Sequence, residues 1–364
     1  MQKILILSTY PAPYRLELFD SFTKDFQVDI FFETSVGDKR DERWFLQGKY
    51  YLLEEESGRD KFLEACKNLK AYSLVAFYEY STKESRRLIA KCKREKVPYV
   101  INCDGVILPH KKNFLKDIIK RWLLSSAAAY MASGTHAKEY FLRYGADEKQ
   151  IFTHTFSTLH TSDIEQMPLE REEKFDLRQK LGLPTDKKIA IAVGRFIPLK
   201  RYDYLLKEWK RIDDNCYLLL IGGGEELEKY KEIIRENGLN NVILEPFHPP
   251  VELYEYYKAA DLLIHPTSYD VWGLVVNEAM AKGLPVVVSD TCVAGLELVK
   301  DGENGYTFPM GQESVAIDKL LKILNNDDLC ERMAKESLKT IQNYTIENMA
   351  KTHIGIFKKV LNEK

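Results

Sequence analysis

Short apolar runs of β type alternate along this chain with longer stretches of helical spacing, and the alternation leaves few folds open. The runs fall at 3–7, 27–32, 74–78, 99–102, 129–132 and 151–154 in the first half, and at 188–193, 216–221, 242–245, 262–265, 285–289 and 305–308 in the second. Most are continuously apolar rather than alternating, the pattern of strands covered on both faces. Strands that alternate with helices form parallel sheets with helices packed on each side. Six runs in each half predict an α/β protein of two doubly wound sheets, and 364 residues is a length that divides into about two cores.

Between the halves, Glu165-Gln-Met-Pro-Leu-Glu-Arg-Glu-Glu-Lys174 is polar, charged and proline-bearing, which predicts an exposed linker with a hinge near 165–175. The expected domains are 1–168 and 169–345. An amphipathic helix in 346–364 fits either domain by pattern and is assigned to the first. The net charge of −2 hides an asymmetry: residues 1–150 hold 26 Lys and Arg against 21 Asp and Glu, and residues 151–364 hold 27 against 34. The first half therefore favours anionic surroundings. Six cysteines without C-x-x-C spacing point to reduced thiols and a cytoplasmic setting, not to disulfides or zinc. The opening Met-Gln-Lys-Ile-Leu-Ile-Leu-Ser reads as a strand rather than a signal peptide, and no apolar run is long enough to span a membrane.

Chemistry concentrates in the second half. After the run ending at Val193, Gly194-Arg-Phe-Ile-Pro-Leu-Lys200-Arg201 sets cations before a helix, where Arg195 and Lys200 can stabilise the charge that develops on a leaving phosphate. A solvated basic loop is the alternative. Ile221-Gly-Gly-Gly-Glu225 allows close backbone approach but has neither dinucleotide nor P-loop spacing, so a plain turn fits it as well. In Tyr269-Asp-Val-Trp-Gly-Leu-Val-Val-Asn-Glu278, two carboxylates, Asp270 and Glu278, bracket a glycine that opens a helix. A helix start offers unpaired N–H groups and a positive dipole end to an anion.

In order and interval, Gly194 to Lys200, Gly222 to Gly224, Phe247, Asp270 to Glu278 and Gly283-Leu-Pro-Val-Val resemble the nucleotide-binding domain of glycosyltransferase family 4, strongly over 186–345 and only in outline before it. The last carboxylate pair resembles that family's E-x7-E motif, with Asp270 in place of the first glutamate. The resemblance implies the GT-B architecture, two Rossmann-like domains facing a central cleft, and sugar transfer with retention of configuration and without a metal or other cofactor. It implies a donor site of Gly194, Arg195, Lys200, Gly223, Phe247, His248, Trp272, Gly273, Leu274, Val275 and Glu278, with Glu278 on a ribose and Asp270 on the donor sugar. Arg201 departs from the pattern, standing where a glycine often follows the lysine. So does Cys292-Val-Ala-Gly-Leu-Glu297, which replaces a Gly-Gly loop.

The first half is less explicit. Ser8-Thr-Tyr-Pro-Ala-Pro-Tyr-Arg15 replaces the glycines that many family members carry, and Tyr10, Tyr14 and Arg15 in this stiff loop suit a sugar acceptor or serve only as a loop. Asp104, in Asn102-Cys-Asp-Gly105, is the catalytic-side candidate, alongside Arg195, Lys200 and Asp270; it also fits a turn residue. His110 and His136 are lesser acceptor-side candidates. In 111–124, Lys112, Lys116 and Lys120 flank an apolar arc that includes Trp122, a pattern that fits either an anionic membrane surface or a core-facing helix. The expected function is transfer of a sugar from a nucleotide donor, UDP-linked, to a saccharide acceptor, lipid-linked, in cell-surface polysaccharide assembly; no nucleic acid partner is expected. A non-catalytic sugar-nucleotide-binding subunit, an epimerase or a phosphorylase on the same architecture are the alternatives.

Overall fold

The strands lie where the apolar runs are, because each run is long enough for one buried strand and is bounded by turn or capping residues. A computed structural model describes residues 1–35, 49–107 and 114–362, with 114–116 described only as part of a helix. The chain forms two units, Met1–Thr158 with Thr345–Lys364, and Leu159–Tyr344.

In the first unit β1 (Lys3–Ser8), β2 (Gln27–Phe32), β3 (Tyr51–Leu52), β4 (Leu74–Phe77), β5 (Tyr99–Cys103), β6 (Ala129–Ala132) and β7 (Ile151–Thr153) form a parallel sheet in the order β3-β2-β1-β4-β5-β6-β7. The two-residue β3 was not foreseen; it pairs Tyr51 with Phe31 and Leu52 with Phe32 at the sheet edge. The second unit holds β8 (Lys188–Val193), β9 (Cys216–Ile221), β10 (Val242–Glu245), β11 (Leu262–His265), β12 (Val286–Ser289) and β13 (Gly305–Phe308), in the order β10-β9-β8-β11-β12-β13. In each sheet the order reverses beside the first strand, and ligands of such sheets bind at that reversal, outside the carboxyl ends of the strands. In the second unit the reversal lies between β8 and β11.

The unit boundary differs from the expected hinge. Residues 159–168 already belong to the second unit: Glu165 N–H donates to Ala281 O at 2.9 Å, and Lys282 donates to Asp163 O and approaches Glu165 at 3.4 Å. The charged stretch that reads as a linker instead starts a helix, Arg171–Lys180, with Glu170 and Glu173 forming a capping box. Its apolar content is low, but Arg178 is buried and ties it to the sheet, donating to Asp261 at 2.8 Å and to Ala259 O at 2.7 Å. Burial works to raise the Asp261 carboxyl, yet Lys174 and Arg178 hold it below its ordinary value. Most of this helix is exposed, as its polarity suggests, while Lys174 and Arg178 anchor it to Asp261 through an ion network.

The C-terminal helix Ile346–Asn362 packs on the first unit. Its buried stripe of Ile346, Met349, Ala350, His353, Ile356, Phe357, Val360 and Leu361 follows helical spacing. Phe357 meets Phe22 and Phe26 with ring centroids 5.3 and 6.0 Å apart. Full burial of such a side chain stabilises by about 1.5–3 kcal/mol.

Candidate functional site

The loop that leaves β8 is shaped by three close backbone approaches. Phe196 N–H donates to Gly223 O at 2.7 Å, and a side chain at Gly222 or Gly224 would place its Cβ 2.0 Å from Gly194 O or 2.5 Å from Phe196 O. The glycines after β9 therefore seat the loop after β8 against them. Gly223 itself faces open space. The loop continues through a 3-10 turn, Pro198–Lys200, into the helix Tyr202–Trp209.

Lys200 meets Asp270 there. The ammonium lies 2.5 Å from Asp270 Oδ2, and His265 Nε2, at the end of β11, lies 3.3 Å from the same oxygen. Both contacts fall on Oδ2. Burial alone would raise Asp270, but the His265 hydrogen bond and the Lys200 charge outweigh it and hold the carboxyl well below its usual range. His265 is fully buried; burial and Lys200 push its pKa down, so it serves as a neutral orienting group.

Asp270 is anchored by backbone, its N–H donating to Thr291 O at 3.0 Å. Gly273 follows with φ +99°, a left-handed conformation that glycine adopts without strain, and caps the helix Leu274–Ala281. Trp272 is buried, donating from Nε1 to Asn277 at 2.8 Å, while Cys292 Sγ donates to Trp272 O at 3.1 Å. The Cys292 loop thus buttresses the turn. Leu274 and Val275, half-buried, form the first turn, and Glu278 stands in the second.

Glu278 is the electrostatic opposite of Asp270. Burial raises its carboxyl, and its hydrogen bond is from Tyr257 OH at 2.9 Å, which only partly offsets that effect. Among the described residues no cation pairs with it. One carboxylate of the motif is thus charge-compensated and fixed, and the other retains acceptor capacity. Arg195 is exposed on the β8 loop, and Phe247 is half-buried after β10. His248 lies 3.2 Å from Glu252 and packs on Tyr256 with ring centroids 4.6 Å apart.

In the first unit Arg15 is not a loop residue. It lies on the helix Pro13–Ser21, 5% exposed, paired with Asp104 and stacked on Tyr78 at 4.7 Å. Of the two prolines that suggested a stiff loop, Pro13 starts this helix, since Pro is favoured at its first position. Asp104 also accepts from Asn102 Nδ2 at 2.6 Å. Tyr14 packs edge-on against Phe156 with centroids 5.6 Å apart, and Tyr10 is half-buried. His154 and His353 were not singled out by pattern, yet their rings meet edge-on at 4.5 Å beside this cluster, and His353 Nδ1 pairs with Tyr78 OH at 2.8 Å. His136 is half-buried on the helix Thr135–Arg143. His110 and Lys112 lie outside the described residues, as does the Lys116 side chain. Trp122 is 48% exposed on the helix Phe114–Leu124, and Lys120 lies over the rings of Tyr140 and Tyr144.

Two parallel α/β units of this strand order, with a cation–carboxylate site where the second sheet reverses, have the fold of GT-B glycosyltransferases. Residues 173–340 match the family described as glycosyl transferases group 1. An uncharacterised glycosyltransferase of Methanocaldococcus jannaschii is 30% identical over 197 residues, covering 52% of this chain and 50% of its own. The chain spans about half the length of the curated relatives it matches. Among solved structures, Anabaena HepE in complex with UDP superposes with a TM-score of 0.79 at 16% identity, over 99% of this chain and all of its own. Sucrose-phosphate synthase from Thermosynechococcus elongatus superposes with a TM-score of 0.76 at 20% identity, over the whole of both chains.

Proposed function

We propose that the protein is a retaining glycosyltransferase that takes a hexosyl group from a UDP-sugar and works without a divalent metal. The observation that carries the reading is the opposed pair of carboxylates in one motif, Asp270 fixed by Lys200 and His265, and Glu278 uncompensated. Glu278 accepts hydrogen bonds from a ribose. Asp270 Oδ1 meets a hydroxyl of the donor sugar, since Oδ2 is already occupied. Lys200 has three donors and spends one on Asp270, so two remain for the diphosphate, with Arg195 and the start of the helix at Gly273 beside it. Binding of UDP and UDP-glucose by HepE supports the choice of donor.

On the acceptor side, Asp104, fixed by Arg15 and Asn102, orients a hydroxyl of a saccharide. We assign the acceptor to a lipid-linked saccharide of cell-surface polysaccharide assembly, because the first unit exposes an apolar and basic helix face. The protein then works on the cytoplasmic face of the membrane.

The test is calorimetric. Charge-assisted hydrogen bonds are worth about 1.5–3 kcal/mol, roughly ten- to hundredfold in affinity. Glu278→Gln is expected to weaken UDP and UDP-glucose alike, whereas Asp270→Asn weakens UDP-glucose by at least tenfold more than UDP. Equal losses for both ligands in both variants would sink the division of roles. Binding without any transfer would make the protein a sugar-nucleotide-binding subunit.

A further inference from the structure

Among the described residues, two that are not glycine have positive φ, Lys96 and Arg201. Lys96 is exposed and ends a helix, where such a turn is common. Arg201, at φ +56° and ψ +26°, joins the 3-10 turn that carries Lys200 to the helix Tyr202–Trp209. A left-handed residue other than glycine is disfavoured. Something must hold the arginine there.

Its side chain does so. Arg201 Nε donates to Glu313 Oε1 at 2.5 Å, and the guanidinium lies 3.9 Å from the centre of the Tyr204 ring. The two charged side chains are only 15% and 6% exposed, so the pair is shielded from salt and water far more than a surface pair. Glu313 is the first residue of the helix Glu313–Leu324, where the helix dipole favours a carboxylate. That helix follows β13, whereas Arg201 follows β8, and two strands separate them in the sheet. The pair therefore ties distant parts of one unit together.

On the other side of Lys200 the chain is held as firmly. Leu199 O accepts from Ser268 N–H at 2.7 Å and from the Thr267 hydroxyl at 3.1 Å, both on the loop after β11. Lys200 thus sits between two fixed residues, and its ammonium meets Asp270.

We infer that Arg201 is a positioning residue: its ion pair with Glu313 locks the left-handed turn that aims Lys200, and it does not itself bind the diphosphate. This rests on the donor-site reading above. A guanidinium that bound the diphosphate directly would be released by loss of Glu313, and affinity would rise; a strut predicts the reverse.

The experiment measures UDP binding and thermal stability of Arg201→Gly, Glu313→Gln, the double variant and Lys200→Ala. Glycine accepts the left-handed turn, so Arg201→Gly keeps the fold while removing the strut. The expected result is a Kd for UDP raised at least threefold in Arg201→Gly and in Glu313→Gln, with no further loss in the double variant. Tighter binding in Glu313→Gln would make Arg201 a ligand and overturn the inference. A lowered Tm with an unchanged Kd in both single variants would reduce the pair to fold stability and overturn it too. If Lys200→Ala leaves UDP binding intact, the donor-site reading fails and the strut falls with it. If Lys200→Ala weakens binding but Arg201→Gly does not, the strut alone fails.

Discussion

A methyl group added at Gly273 would lie 2.4 Å from Cys292 Sγ, at a φ of +99° that side chains rarely adopt. Either cost is large for one residue, and here they coincide at the start of the helix that carries Glu278. Gly273→Ala is expected to destabilise the protein by about 2–3 kcal/mol, combining backbone strain with overpacking. Gly223 has no neighbour within 4 Å of its missing Cβ, so Gly223→Ala should cost less than about 1 kcal/mol. Denaturant unfolding of the two variants checks this, and equal losses would refute the close-contact argument. At this scale the sequence singles out the loop glycines and both motif carboxylates, because each stands in a short stretch whose spacing can be read directly. It could not reveal that Cys292 fills the space under Gly273, or that Glu313 answers Arg201 from 112 positions away. Those partners meet only through the fold.

At the scale of elements, the helix Ile346–Asn362 brings its buried His353 against the buried His154. Burial lowers His154 to about 3 and takes His353 well below its ordinary value, with Arg15 pushing both the same way. An unfolded histidine takes up a proton near pH 6.5. Below that pH the unfolded chain binds more protons than the folded one, so this contribution to stability is fully present above about 6.5 and is lost as pH falls toward 3. Each histidine costs about 1.4 kcal/mol per pH unit in that window. The thermal midpoint of the wild type should therefore drop between pH 7 and pH 5, and His353→Gln should make the drop about half as steep. Parallel curves would refute the role of the histidines. Periodicity revealed the helix itself, since its stripe repeats over four turns. It missed β3, too short at two residues to carry a pattern, and it misread the polar start of Arg171–Lys180, whose buried arginine looks exposed by composition.

Over the whole molecule, charge divides by unit. Counted from the sequence, residues 1–158 with 345–364 carry +7, and residues 159–344 carry −9. The basic unit also carries apolar side chains in solvent: Ile118, Ile119 and Trp122 are each close to half exposed on the helix Phe114–Leu124. Lys93, on the neighbouring helix Lys83–Glu95, donates to Trp122 O and covers its ring at 4.4 Å, and the side chains of Arg86 and Arg121 are exposed. Exposed apolar side chains on a unit of net positive charge suit the surface of an anionic bilayer. No helix among the described residues is long and apolar enough to cross a membrane. Each basic side chain near such a surface contributes about 1 kcal/mol, roughly fivefold in partitioning. Replacing Arg86 and Arg121 with alanine should thus lower binding to phosphatidylglycerol vesicles on the order of 25-fold. Ile118→Ser with Trp122→Ser should weaken it further, and high salt should reproduce the charge effect in the wild type. Transfer to a soluble saccharide acceptor should stay unchanged in these variants, because none of the four residues belongs to the donor site. Wild-type protein that fails to sediment with anionic vesicles at low salt would refute the membrane face and leave a soluble saccharide as the acceptor.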